Sequence, residues 1–247
     1  MEIKGSVAVV TGANRGIGLA FTRALLARGA AKVYAGVRNP EDLREPGAEP
    51  LRLDVTDEDQ IAAAAATAPD ATVLINNAGI QAGPGLLEGP LEGARRELEV
   101  NYLGTWAVSR AFAPVLAANG GGALVNMLSV ASWRVNRRWP GYAASKAAEW
   151  SLTNALRVGL RPQGTLVVGV HVGPVDTEAA MGLDVPKVPA AEVAAKTLDA
   201  ISRGETEVLV DEASRQARAA LAGPVDLLET GAVNGDGGQH GRGGDGH

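Results

Sequence analysis

Residues 7–18 read Val7-Ala8-Val9-Val10-Thr11-Gly12-Ala13-Asn14-Arg15-Gly16-Ile17-Gly18. An apolar run without polar alternation makes a strand buried on both faces, as in parallel sheets covered by helices. Glycines then turn the chain sharply, and a helical pattern follows over about Gly16–Arg28. A glycine turn lets the backbone approach a ligand. The helix start offers unpaired N–H groups and the positive end of its dipole to a pyrophosphate. The spacing is G-x-x-x-G-x-G, not G-x-G-x-x-G, but its place after the first strand points to a dinucleotide.

Outward from this turn, strand-like and helical runs alternate. Strands are expected at Val7–Val10, Lys32–Gly36, Leu51–Leu53, Thr72–Asn76, Ala123–Leu128, Leu166–His171 and Glu207–Val210. Helices are expected at about Gly16–Arg28, Asp57–Thr67, Pro90–Ala118, Tyr142–Leu160, Ala190–Arg203 and Glu212–Ala222. This order predicts an α/β fold: a doubly wound, open parallel sheet of about seven strands with helices on both faces, Rossmann-type. One domain is expected over residues 1–222. In the remaining segment, 223–247, glycines dominate from about residue 231, and such a stretch buries too little surface to offset its ordering entropy. Its His240 and His247 are read as solvated.

Composition sets the outer limits. A 247-residue chain that is 46% hydrophobic and 21% charged is globular. Its net charge of −5 argues against a nucleic-acid or anionic-membrane partner. The absence of cysteine excludes disulfides, thiolate nucleophiles and Cys-ligated metals, and no metal site is expected. No apolar run nears the ~18 residues of a membrane span, and the N-terminal apolar stretch is too short for a signal peptide. A soluble, cytoplasmic protein is expected.

Three further elements follow in order: Asn76-Asn77-Ala78-Gly79 closing the fourth strand, Ser129 closing the fifth, and Tyr142-Ala143-Ala144-Ser145-Lys146 opening the next helix. Tyr142 and Lys146, one helical turn apart, share a face. A free tyrosine ionises near pH ~10. A neighbouring ammonium favours the phenolate, so such a pair can exchange a proton near neutrality. Ser129, at a strand's C-terminal end, can hydrogen-bond a substrate oxygen. Ser132 is the weaker rival, since it lies past the strand.

With these motifs in place, the chain resembles the short-chain dehydrogenase/reductase family, in its ~250-residue branch, over about residues 5–222. The resemblance implies catalytic roles for Ser129, Tyr142 and Lys146. It has Lys146 also holding the nicotinamide ribose and Asn101 supporting a water relay. It places the cofactor against Thr11, Gly12, Asn14, Arg15, Gly16, Ile17 and Gly18, and against Asn77, Ala78 and Gly79. Asp54 matches the residue that contacts adenine, and Thr177 the one that contacts the carboxamide. Val172 stands before Gly173 where the family writes proline. NAD-preferring members end the second strand with an acid; here Val37 sits at that place and Arg38 follows. Two guanidinium groups, Arg15 and Arg38, suit a 2′-phosphate. NADP(H) is therefore expected over NAD(H).

The expected activity is NADPH-dependent reduction of a ketone or aldehyde. The alternatives are oxidation of a secondary alcohol by the same residues, or a silent cofactor-sensing scaffold. For the substrate, a small carbonyl or alcohol molecule, the segment Trp133–Trp139 joins Ser129 to Tyr142 and carries three arginines. Trp133, Arg137 and Trp139 are read as one wall of its mouth, with Met181 opposite, although packing of the tryptophans onto the sheet is an even alternative. His171 is read as a core histidine. By resemblance, helix Tyr142–Leu160, with Trp150, Leu152, Ala155 and Leu156, builds a homodimer, and a homotetramer is the alternative. The usual C-terminal strand and Gly-Gly turn that pair subunits are replaced here by Glu207-Val208-Leu209-Val210-Asp211, a short helix and the tail.

Overall fold

The computed structural model describes residues 1–134, 137–182, 184–224 and 226–229. The expectation of a disordered glycine-rich tail, with His240 and His247, lies outside the described residues. The chain runs β1 (Val7–Thr11), α1 (Gly16–Ala27), β2 (Lys32–Val37), β3 (Glu49–Arg52), α2 (Glu58–Thr67) and β4 (Val73–Asn76). It continues through α3 (Glu92–Glu97), a π-helical segment (Leu98–Gly104), α4 (Thr105–Ala118), β5 (Ala123–Met127), α5 (Pro140–Leu160) and β6 (Leu166–His171). Then come the short strands β7 (Val175–Asp176) and β8 (Val188–Pro189), followed by α6 (Ala190–Arg203), β9 (Glu207–Leu209) and α7 (Glu212–Ala220).

Seven strands form one parallel sheet in the order β3-β2-β1-β4-β5-β6-β9. Alternate residues of β1 feed two cores. Ala8 and Val10 pack with Phe21 and Leu25 of α1 and Leu198 and Ile201 of α6. Val9 packs on the other face with Ile61 of α2 and Phe112 and Leu116 of α4. Burial on both faces explains the uninterrupted apolar strands. Strand order reverses between β1 and β4, where α1 and the helices after β4 leave to opposite faces. A ligand crevice opens there, at the strands' carboxyl ends.

Three local features differ from expectation. β3 starts at Glu49 and includes Pro50, which a strand tolerates at a sheet edge because no inner ladder needs its missing N–H. The run expected as one helix over Pro90–Ala118 starts at Glu92 and changes to π-helical winding at Leu98–Gly104. There Gly104 lies so close to Val55 that a Cβ would come within 2.9 Å of the Val55 carbonyl oxygen. The parallel pair β7–β8 is too short for any hydrophobic period to reveal. Among the described residues, no helix is long and apolar enough to cross a membrane.

Candidate active site

The glycine turn closes against the end of β4. Thr11 is buried, and its Oγ1 accepts from the backbone N–H groups of Asn77 and Ala78, each at 2.9 Å. Asn77 Nδ2 returns the link by donating to the carbonyls of Thr11 (2.9 Å) and Gly12 (3.2 Å). Gly12 and Gly16 have φ of +65° and +53°, which favour glycine. A Cβ on Gly18 would run into the Gly12 carbonyl, so this residue must be glycine for α1 to seat under the turn.

A groove of about 1010 Å³ opens over this turn. Gly12, Asn14, Arg15, Gly16 and Ile17 line it, as do Arg38, Asp54, Asn77, Ala78, Gly79 and Thr177. Its size and its glycine cradle fit a dinucleotide. Asp54 holds the turn after β3, accepting from Thr56 N at 3.0 Å and Thr56 Oγ1 at 2.8 Å. Burial pushes its carboxyl up, but those bonds and the Arg38 and Arg96 charges prevail and hold it below the usual carboxylate range. Arg96, on α3, is a groove residue that sequence reasoning missed, because only the fold brings it beside Asp54. Arg15 is exposed and bonded at 2.9 Å to Glu178, which also lines the groove. The loop after β6 is anchored by Asp211, whose Oδ2 accepts from Gly173 N at 2.8 Å. Asp211 also caps α7 locally through Ser214, but its contact with Gly173 is remote and leaves no local signal.

Beside the groove stand the three chemical side chains. Ser129 is buried just past β5, and its Oγ accepts from Ala131 N at 3.1 Å while Ser132 Oγ accepts from Ser129 N at 3.4 Å. The two serines thus form a reciprocal cap on one short turn. His171 Nδ1 lies 3.3 Å from the Ser129 carbonyl, which selects the tautomer with the proton on Nδ1. Its Nε2 has no partner, and burial pushes the ring down to about 3, so it is neutral.

Tyr142 is half-buried near the start of α5. One turn on, Lys146 Nζ lies 6.0 Å from the centre of its ring. Lys146 is buried and donates to the Met127 carbonyl and to Glu149 Oε2, both at 2.7 Å. Burial alone would push its ammonium down, yet the charges of Glu149 and Tyr142 and the Glu149 hydrogen bond hold it above the ordinary lysine value. A Cβ on Gly79 would lie 3.7 Å from Nζ, so the ammonium borders the groove.

Asn101 is fully buried in the π-helical segment. Its Oδ1 accepts from Ile80 N (2.8 Å), while Nδ2 donates to Ile80 O (2.9 Å) and Ser145 Oγ (2.9 Å). In this arrangement it ties the floor of the groove to α5. Glu97 does similar work, its Oε1 accepting from Ala82 N (2.8 Å) and Gly83 N (2.9 Å). Sequence reasoning passed over Glu97 and Glu149, since a glutamate on a helix ordinarily marks a solvated face.

Of the residues read as the substrate mouth, the structure places Trp133 in the interior. Its ring stacks on His171 at 3.7 Å, meets Trp150 edge-on at 5.9 Å and lies under the Arg218 guanidinium. The apolar bulk of Trp133 is thus spent on packing β6 and α7, and it forms no wall. Arg137 is exposed, and its carbonyl accepts from Leu86 N at 2.8 Å, joining its loop to the one after β4. Trp139 is half-buried under Arg138, and Met181 is exposed beyond Thr177.

A family model described as short chain dehydrogenase matches residues 6–187. The chain belongs to the short-chain dehydrogenase/reductase family. It is thus an oxidoreductase acting on hydroxyl and keto groups, in a family that binds nicotinamide cofactors. It is similar to a short chain dehydrogenase from Burkholderia cenocepacia J2315 solved in complex with NADP, at 41% identity and a TM-score of 0.88, covering 92% of this chain and 97% of that one. Among curated relatives, the 1-deoxy-11-beta-hydroxypentalenate dehydrogenase of Streptomyces exfoliatus is 36% identical, over 76% of this chain and 74% of that protein. The galactitol 2-dehydrogenase (L-tagatose-forming) of Cereibacter sphaeroides is also 36% identical, over 94% and 93%.

Proposed function

We propose that this protein is an NADPH-dependent carbonyl reductase in which Tyr142 delivers the proton. The observation that carries the reading is the buried, charged Lys146 one turn from Tyr142, bordering a dinucleotide-sized groove. When bound, the nicotinamide supplies the hydride. Ser129 Oγ, on its capped turn, donates to the carbonyl oxygen of the substrate. Tyr142 protonates that oxygen as negative charge develops on it. Lys146 stabilises the phenolate that remains and holds the cofactor ribose. Run backwards, the same groups oxidise a secondary alcohol, with Tyr142 as the base.

Support for NADPH over NADH comes from Arg38, with Arg96 adding a second positive charge on the groove. Val37 leaves no acid at the end of β2 to repel a phosphate. Arg15 is the weaker ligand, because Glu178 already holds it. For the mouth we retain Arg137, Trp139 and Met181 and drop Trp133. We further propose a homodimer through the exposed apolar residues of the π-helical segment, α4 and α5, elements that pack on one another: Leu98, Leu103, Trp106 and Val158. Of the α5 residues expected at the contact, Leu152 is buried within the subunit, Trp150 and Leu156 are half-buried and pack partly inward, and Ala155 is exposed.

The test is a panel of cyclic, aryl and aliphatic ketones with NADPH and NADH. The reading expects turnover with NADPH and a kcat/KM for it at least tenfold above that with NADH. Tight NADPH binding without turnover on any carbonyl or alcohol would overturn it in favour of a cofactor-sensing scaffold.

A further inference from the structure

Among the described residues, Lys146–Glu149 is the one ion pair in which both side chains are buried. The two stand three residues apart on α5, and Glu149 Oε2 meets Nζ at 2.7 Å. The second oxygen, Oε1, accepts from Thr105 Oγ1 at 3.5 Å. An ammonium has three protons to donate. Met127 O and Glu149 take two, and the third is left on the side where Gly79 borders the groove. A buried ion pair seldom returns more than its own desolvation cost, so stability alone is a poor reason for an acid at this position.

Apart from Tyr142 one turn back on α5, no other acidic group among the described residues compensates this lysine. Of the ionisable groups on the elements packed against α5, Glu97 on α3 turns its carboxylate toward Gly83 and Gly141 and onto the loop after β4. His171 on β6 is neutral. Glu99 and Arg110, on the π-helical segment and α4, are exposed. Arg134, after the turn that follows β5, carries positive charge, and Arg157 on α5 itself is spent on the Val167 and Thr206 carbonyls. Without Glu149, burial would act on Lys146 against Tyr142 alone and favour the neutral amine.

We propose that Glu149 is a positioning residue that keeps Lys146 charged and aimed at the cofactor. The inference rests on the reading of Lys146 as the side chain that holds the nicotinamide ribose. Burial pushes the Glu149 carboxyl up to about 7, so the acid is ionised throughout the alkaline range where the effect is to be read.

The experiment follows NADPH affinity by fluorescence between pH 7 and 10 for the wild type, Glu149→Gln, Glu149→Asp and Lys146→Met. In Glu149→Gln affinity should fall by about tenfold between pH 7 and 10, whereas the wild type, whose ammonium is held above the ordinary lysine value, should keep it over that range. Glu149→Asp should lie between them, and Lys146→Met should bind weakly with no dependence on alkaline pH. An affinity profile in Glu149→Gln that superimposes on the wild type, while Lys146→Met has lost affinity, overturns the role of Glu149 alone. Wild-type affinity in Lys146→Met overturns the reading of the lysine and this inference with it. Should Glu149→Gln fail to fold, Glu149→Asp decides: a downward move supports the proposal and an unmoved profile contradicts it.

Discussion

Arg38 is the side chain on which the proposed preference for NADPH turns. It is exposed at the end of β2, it lines the groove, and its charge is felt at Asp54. A charge-assisted hydrogen bond contributes about 1.5–3 kcal/mol. Arg38→Asp, which also adds repulsion, should therefore shift the NADPH/NADH ratio of kcat/KM by on the order of a hundredfold toward NADH. An unchanged ratio would remove Arg38 from the 2′-phosphate site. Arg15 makes the contrasting case. Its bond to Glu178 joins two exposed side chains and is worth at most about 1 kcal/mol. Residues such as Tyr142 and Lys146 were legible in the sequence because their relation is local, one helical turn. Glu97, Arg96 and Asp211 were not, because each acquires its role from another segment of the chain, and Glu149 was not, because only the fold shows that this face of α5 is buried. Trp133 was misplaced for the same reason: the neighbour that defines it, His171, arrives only when β6 pairs with β5.

At the scale of elements, the alternation of strand and helix was readable from apolar runs and glycine punctuation, and the sheet has the expected seven strands. The change of winding at Leu98–Gly104 was not, since a π-helical turn has no period of its own to leave in the sequence. That turn presents Asn101, whose amide makes two hydrogen bonds to Ile80 and one to Ser145. Ser145 Oγ in turn donates to the Tyr142 carbonyl at 2.7 Å, so one side chain joins the loop after β4 to the turn of α5 that carries Tyr142. Asn101→Ala strands the part-buried N–H and C=O of Ile80 and should cost about 1 kcal/mol or more in urea unfolding. It should also raise KM for the carbonyl substrate, because the loop wall is no longer tied. A variant with wild-type stability and KM would reduce Asn101 to a bystander.

Two expectations belong to the molecule as a whole. Acid stability depends on His171, whose burial keeps it neutral with a value of about 3 against 6.5 when free. A depressed value means that the stability it secures is present above pH 6.5 and lost as pH falls toward 3. Between pH 7.5 and 4 the wild type should lose about 3 kcal/mol more than His171→Phe, which keeps the stack on Trp133 and cannot titrate. Equal losses in urea titrations at the two pH values would refute this. Assembly is read by light scattering: the wild type should have a dimer mass, and Trp106→Glu combined with Val158→Glu should give a monomer. A monomer mass in the wild type at every concentration would place the exposed apolar surface in some other role.

The central claim, that Tyr142 supplies the proton, is met most directly by single-turnover reduction of the best ketone with NADPH bound to Tyr142→Phe. Phenylalanine keeps the ring and lacks the transferable proton. The rate of nicotinamide oxidation should fall by about 10²–10⁴ while the Kd for NADPH stays within about twofold of wild type. A single-turnover rate equal to that of the wild type would contradict it.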